Sequence, residues 1–332
     1  MQMRNGTRLY SASDLCGFLE CQHLTTLDLA HLVKPMEKAP SSEQNRLIQD
    51  KGLAHEAAYF DRLKSQYANV VDIAEGAPSF ARRVELTILA MQAGADIIFQ
   101  ASLQDGPLIG HADFLRKVPM PSALGEHSYE VIDTKLAKTA KAKFLVQTAL
   151  YSRLLVPIQG VQPHYMYVVL GDAACTEQAF RVADYADYLE HVLQRFNAFT
   201  SLAEPPATYP DPCGHCGFCG WRERCDEQRQ QDDHLSAVAG ISRSQINKLH
   251  NAGVTTLRQL AQSPDTLRVA NLQGESLSKL RHQARMQLQG RASDRPLFEL
   301  LPPAGAHRGF NRMPPAVEGD LFFDMEGNPL EE

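Results

Sequence analysis

Four cysteines crowd into thirteen positions, Cys213-x2-Cys216-x2-Cys219-x5-Cys225, and this spacing limits the possible folds more than any other stretch of the chain. Thiols that close are crosslinked, metal-bound or left reactive side by side, and the redox compartment chooses among these outcomes. The polar opening MQMRNGTR lacks the apolar core of a secretory signal, and no apolar run reaches the roughly 18 residues of a membrane span. A cytoplasmic chain with no membrane segment is therefore expected, and there four such thiolates read as metal ligands. One solution is a zinc knuckle supplied wholly by this loop, with His215 in reserve; the other draws a ligand from elsewhere in the chain.

The remainder of the 332 residues divides by hydrophobic period. With 44% hydrophobic and 22% charged residues, the chain is ordinary globular material, long enough for two or three domains. Positions 11–67 read as helical, with Ser13 as an N-cap before Leu15, Phe18 and Leu19. A second helix over 46–67 aligns Leu47, Leu53, Ala57, Phe60 and Leu63. The period then falls to two. Positions 96–103, 107–118 and 129–135, rich in Ile, Val, Phe and Tyr, predict strands, with Asp105-Gly106 as a hairpin turn. A helix over 143–155 ended by Pro157, a strand over 164–170 and a helix over 184–200 complete the pattern. The fold class is α/β, a mixed sheet flanked by helices, in a domain expected to span 1–230. Beyond it lie an all-helical segment at 231–291 and a Pro/Gly-rich linker at 292–319. At 320–332, Leu321-Phe322-Phe323-Asp324-Met325-Glu326 reads as a strand just begun, as in a piece of a longer protein.

Strand alternation puts Asp133 and Lys135 on one face of the 129–135 strand, and Asp113 lies mid-strand in the neighbour before it. Two carboxylates beside an ammonium make an oxygen-rich site for a divalent cation next to a fixed positive charge. Phosphodiester hydrolysis needs that chemistry, because Mg²⁺ lowers the pKa of its water and lysine stabilises developing charge. The apolar neighbours Phe114, Leu115, Val131 and Ile132 set these acids apart from an ordinary solvated strand edge.

The order Gly110-x-x-Asp113, Asp133-Thr134-Lys135, Gln147-x-x-x-Tyr151, preceded by Gly52-x-x-His55-Glu56, resembles the RecB-type branch of the PD-(D/E)XK nucleases. That resemblance implies a restriction-endonuclease-like fold. It implies Mg²⁺ or Mn²⁺ bound by His55, Asp113, Asp133 and the Thr134 carbonyl, Lys135 as catalytic lysine, and Gln147 and Tyr151 along the DNA path. Phe18-Leu19-Glu20-Cys21-Gln22-His23 is similar to the N-terminal cysteine segment of the family's iron–sulfur members. On that pattern Cys21, Cys216, Cys219 and Cys225 would hold a [4Fe–4S] cluster, with Cys213 and Cys16 extra to the set; Zn²⁺ in the loop is the alternative.

The net charge of −6 argues against nucleic-acid binding only until it is divided along the chain. Residues 238–291 hold eight Lys/Arg against two Asp/Glu, a local +6. Within them Val238-Ala239-Gly240-Ile241 and Asn251-Ala252-Gly253-Val254 resemble a helix-hairpin-helix motif, with 270–286 as a weaker second copy. Such motifs bind phosphate through backbone N–H groups at the Gly turn, aided here by Lys248, Arg258, Lys279, Arg281 and Arg285. Asp324-Met325-Glu326 resembles the first motif of RNase H-like exonucleases. The whole order resembles the N-terminal part of bacterial nuclease–helicase proteins, which implies a helicase domain downstream. The expected function is a Mg²⁺- or Mn²⁺-dependent DNA nuclease acting on single strands or ends. The rivals are a DNA-binding module that holds DNA for a helicase without cutting, and a zinc-stabilised RNA-binding protein.

Overall fold

The computed structural model describes residues 1–74, 79–202, 204, 206–291, 293, 297–300, 305 and 309–325. They divide into two units, Met1–Glu223 and Arg224–Glu332, close to the expected boundary at 230.

The first unit is a mixed eight-stranded sheet with helices on both faces. Its strands are β1 (Gln2–Arg4), β2 (Thr7–Ser11), β3 (Val70–Asp72), β4 (Ile97–Asp105), β5 (Leu108–Val118), β6 (Ser128–Lys135), β7 (Tyr165–Leu170) and β8 (Glu177–Arg181). Its helices are α1 (Ala12–Glu20), α2 (Gln22–Val33), α3 (Glu43–Gln66), α4 (Phe80–Gln92), α5 (Ala142–Gln159) and α6 (Ala183–Thr200). The order β1-β2-β5-β6-β7-β8 has β4 on the other edge of β5 and β3 outside β4. The hairpin expected at Asp105-Gly106 is there, with Asp105 paired to Leu108 and Gly106 at φ +54°.

Strand β5 organises the sheet. Along one edge its first two residues pair with Tyr10 and Ser11 of β2, and its last five, from Phe114, pair with β6. The β5–β6 ladder stops at Phe114↔Ile132, one step short of Asp113 and Asp133. On the other edge Phe99↔Phe114 and Ala101↔Ala112 are paired, but Gln100, between them, takes φ +55°. Left-handed backbone in a strand costs energy in any residue but glycine. The backbone is thus distorted on both sides of Asp113.

One face of the sheet carries the larger core, with Leu115, Val131 and Met166 packed against α1, α5 and α6 through Leu15, Phe18, Leu150, Leu154 and Phe196. The other face packs under α3, a mostly polar helix held down by the fully buried Tyr59 and Leu63 against Ile97, Phe114, Ile132 and Val169. Burying such side chains stabilises by about 1.5–3 kcal/mol each, enough to fix the helix that carries His55 and Glu56. Two glycines permit close approaches. A Cβ on Gly110 would lie 2.8 Å from Tyr151 Cδ1 and 2.9 Å from Leu154 Cδ1, so α5 sits directly on β5 there. A Cβ on Gly171 would lie 2.3 Å from the Leu136 carbonyl oxygen, just after β6.

Several expectations need correction. Helix α1 starts at Ala12 and is capped by Ser11, not Ser13, because Asp14 at the third helical position returns a bond to Ser11 and closes a capping box. Helix α5 runs through Pro157 to Gln159; Gly160, at φ +72°, ends it. Proline forfeits one hydrogen bond but does not forbid a further half-turn. Helix α4 and strands β1, β2, β3 and β8 were not anticipated.

The second unit is helical: α7 (Arg222–Gln231, entering from the first unit), α8 (Arg243–Asn251), α9 (Leu257–Gln262) and α10 (Gly274–Gly290). Leu235, Val238, Ile246, Leu249, Leu257, Leu260, Leu277 and Leu280 form its core. Capping boxes at Ser242 and Thr256 start α8 and α9, and Gly253 at φ +79° turns the chain between them. A helix–turn–helix therefore stands where the first hairpin was expected. The second copy does not: positions 274–290 form one continuous helix. Residues 321–325 form no strand, and Glu326 lies outside the described residues. Among the described residues no helix is long and apolar enough to cross a membrane.

Candidate active site and cysteine cluster

Where the β5–β6 ladder ends, side chains replace the missing backbone bonds. Asp113 Oδ2 accepts from the Thr134 backbone N–H (2.7 Å) and hydroxyl (2.8 Å). Asp133 is fully buried and pairs with Lys135 through Oδ2, while its Oδ1 accepts from Gln147 Nε2 at 3.2 Å. Gln147 Nε2 also meets the Tyr151 hydroxyl at 3.0 Å, so the helix pair expected from spacing does face the acids. Gly110 makes that contact possible by letting α5 approach.

Electrostatics binds these groups into one unit. Burial, then the Asp113 charge, pushes Asp133 above the usual carboxylate range, against the pull of Lys135. Burial alone would lower Lys135, but Asp133 and Asp113 hold its ammonium above the ordinary lysine value. Burial, then Asp133, raises the Tyr151 phenol, so it remains protonated.

Three participants were not read from the sequence. Glu56 on α3 accepts from Gln100 Nε2, and burial with the nearby Asp113 charge pushes its carboxyl up to about 7. Gln100 is the left-handed residue of β4, aimed by the same distortion that flanks Asp113. The adjacent His55-Glu56 pair in the sequence is the signal that points to Glu56. His55 Nε2 is buried and has no hydrogen-bond partner, and among the described residues no bond joins His55 to Asp113 or Asp133. Cys16 on α1 is the third neighbour: burial pushes its thiol up to about 11, although Lys143 and Lys135 both pull it down.

The donors for a divalent cation are neighbours, each turned onto a protein partner: Asp113 onto Thr134, Asp133 onto Lys135 and Gln147, Glu56 onto Gln100. Among the described residues no three His, Cys, Asp or Glu side chains already share a coordination geometry. The donor chemistry nonetheless suits a hard cation. It offers two carboxylates, a third one coupled to them, and an imidazole nitrogen that no protein group satisfies.

In the first unit Cys21, between α1 and α2, stands near the loop cysteines although 192 positions separate it from Cys213. Cys213 and Cys216 bring their sulfurs to 3.9 Å, and the short 3-10 turn Cys216–Phe218 carries the chain to Cys219. Burial pushes Cys213 up to about 11, with Cys216 and Cys21 adding to the rise. Cys219 is raised by burial, then by Cys21 and Cys216. Trp221 anchors the loop on α2: its Nε1 donates to Asp28 at 2.9 Å, and Lys38 bonds the same carboxylate at 2.8 Å. His23 meets Thr208 at 2.8 Å on the approach to the loop. Crowded thiols that resist ionisation suit a soft or borderline cation, which supplies the missing positive charge. Cys225 lies on α7 in the second unit.

Of the residues expected to meet DNA in the second unit, Arg258 and Lys279 are exposed, Lys248 is half-buried and Gly253 forms the exposed turn. Lys279 pairs with Glu275 at 2.8 Å. Arg281 is placed otherwise. It is buried, with Nε on Ser263 Oγ at 3.0 Å and Nη1 on Asp265 at 2.9 Å, and so holds the α9–α10 connection together. Arg285 bonds the Ala261 carbonyl at 2.9 Å and the same Asp265. No family model matches the chain, and no curated protein matches it.

Proposed function

We propose that the first unit is a Mg²⁺- or Mn²⁺-dependent DNA nuclease of the PD-(D/E)XK kind, cutting single strands or ends. The observation that carries this reading is the meeting of Asp113, Asp133 and Lys135 where β5 and β6 separate. Asp113, Asp133, the Thr134 carbonyl and the unsatisfied His55 nitrogen are the candidate ligands, with Glu56 as an additional carboxylate. A bound cation would supply a water of lowered pKa and screen the phosphate charge. Lys135, kept protonated by both aspartates, holds positive charge for a phosphate oxygen. Gln147 steadies Asp133, and Tyr151, whose hydroxyl accepts from the same Gln147 nitrogen, stays neutral beside it.

The thiols are assigned to a [4Fe–4S] cluster of Cys21, Cys216, Cys219 and Cys225, with zinc as the alternative metal; the proximity of Cys21 to Cys213 and Cys219 supports a ligand from the N-terminal helices. Arg258, Lys248, Lys279 and the Gly253 turn would add sequence-independent affinity for phosphates. A helicase domain in a longer chain and a cytoplasmic setting belong to the same reading. The non-cutting module is favoured by one observation: each site carboxylate already accepts a hydrogen bond from a protein donor through one of its oxygens. Incubating labelled single-stranded DNA and RNA with anaerobically purified protein, with Mg²⁺, Mn²⁺ or EDTA, tests the proposal. Cation-dependent shortening of DNA supports it; stable binding without cleavage under every cation supports the module.

A further inference from the structure

The segment that follows β6 carries a charge pattern that the acid site does not use. Lys135-Leu136-Ala137-Lys138-Thr139-Ala140-Lys141-Ala142-Lys143 holds four lysines and no acid within nine positions of a chain whose net charge is −6. Lys135 faces inward onto Asp133, whereas Lys138, Lys141 and Lys143 are exposed. Among the described residues none of these three has an ion-pair partner. Like charges this dense repel one another, and neither packing nor pairing within the chain accounts for them.

Their position is fixed relative to the site. Lys141 is the N-cap of α5, whose first turn holds no acid and receives no side-chain cap, so its free N–H groups add positive character at the same end. Lys135 Nζ lies 5.7 Å from the centroid of the Phe144 ring, next to Lys143. Lys143, Lys135 and Asp133 all act electrostatically on one half-buried thiol, Cys16, whose sulfur is 3.4 Å from the Lys143 carbonyl oxygen. Gly52 of α3 closes the other side against Leu136. Besides Asp133, the acid that bears on the same thiol is Glu20, exposed on α1. The three lysines therefore begin where the acid site ends and lead into the helix that presents Gln147 to Asp133: Lys138 lies in the loop after β6, Lys141 caps α5 and Lys143 sits in its first turn.

We infer that Lys138, Lys141 and Lys143, with the uncapped start of α5, form a phosphate track that holds the backbone of a nucleic-acid strand leading into the acid site. The inference rests on the nuclease reading for its ligand, since the adjoining acids and Lys135 suit a phosphodiester. Flexible, strongly hydrated ammonium groups bind the backbone without reading bases, so the track gives purchase on any sequence.

The test uses the full chain with Lys138, Lys141 and Lys143 changed together to Gln, beside wild type, with thermal melting to verify the fold. Binding of a fluorescent oligothymidylate is followed against salt in Ca²⁺, and digestion against substrate concentration in Mg²⁺. Each lost single-strand phosphate contact should lower the log–log salt slope by about 0.7, so the triple variant should lose about 2. Digestion should weaken through KM, because Asp113, Asp133 and Lys135 remain. An unchanged slope with unchanged KM overturns the track. So does displacement of the oligonucleotide by polyglutamate at equal charge, which would assign the lysines to an acidic protein segment. The nuclease reading fails separately, if wild type digests no strand although the slope still drops in the triple variant.

Discussion

Replacing Gly110 by alanine adds one methyl group at the point where α5 rests on β5. That methyl carbon would stand 2.8 Å from Tyr151 Cδ1, 2.9 Å from Leu154 Cδ1 and 3.1 Å from Tyr151 Cε1. Carbon atoms prefer about 3.5–4.0 Å, so α5 must retreat by at least roughly 0.7 Å or Tyr151 must turn. Leu154 is fully buried and Tyr151 nearly so, which leaves neither a free rotamer to take up. Overpacking of this kind costs about 1–3 kcal/mol. In a unit of this size that is a fall in Tm of very roughly 2–12 °C. Retreat also pulls Gln147 off Asp133, a bond already 3.2 Å long, so cleavage should fall further than stability does. Thermal melting and a single-turnover digestion assay measure the two effects. A Gly110→Ala protein with wild-type Tm and wild-type cleavage would refute the argument that the glycine exists for helix approach.

Three further outcomes are expected. Glu56, pushed up to about 7 from 4.5, favours the folded state when protonated; in EDTA, stability should therefore be highest below about pH 4.5 as far as this group is concerned and decline as pH rises through 7, and Glu56→Gln should flatten the decline in denaturant titrations at successive pH values. Cys21→Ser should bleach a brown, anaerobically purified protein and lower its Tm, because the site joins the N-terminal helices to the loop beyond the core; a zinc-loaded, iron-free wild type, or an undamaged Cys21→Ser beside a damaged Cys213→Ser, would return the loop to the zinc-knuckle reading. Lys248→Ala with Arg258→Ala should lower the salt slope of DNA binding by about 0.7–0.9 per residue, while Arg281→Ala should instead lower Tm, since its guanidinium is buried on Ser263 and Asp265; an unchanged slope in the first variant would make the helical unit a linker.

What the sequence disclosed was what alternation and local spacing encode. The period-two runs located β4, β5, β6 and β7, and the Asp105-Gly106 turn set the register of β4 on β5. Given two adjacent strands, Asp113 and Asp133 had to come close, and the four-residue interval had to align Gln147 with Tyr151. What escaped depends on partners far along the chain. Gln100 is left-handed inside a strand, a state no propensity announces, and it matters only because Glu56 arrives from α3. Arg281 read as a surface cation until its partners Ser263 and Asp265 folded beneath α10. Strands of three to five residues, such as β1, β3 and β8, are too short to show a period and are held by their neighbours in the sheet. Cys21 was singled out through a resemblance, and its nearness to Cys213 and Cys219 is tertiary information.

The central claim is that Asp113, Asp133 and Lys135 act together on a phosphodiester bond. It is tested most directly by single-turnover cleavage of an end-labelled single-stranded oligonucleotide by wild type, Asp133→Asn, Lys135→Ala and the double variant in Mg²⁺ or Mn²⁺, with oligonucleotide binding measured on the same samples. The account predicts cation-dependent cleavage in wild type, none in either single variant, retained binding in all, and a double variant no worse than a single one, since groups acting as a unit are not additive. Wild-type cleavage rates in Asp133→Asn would contradict it.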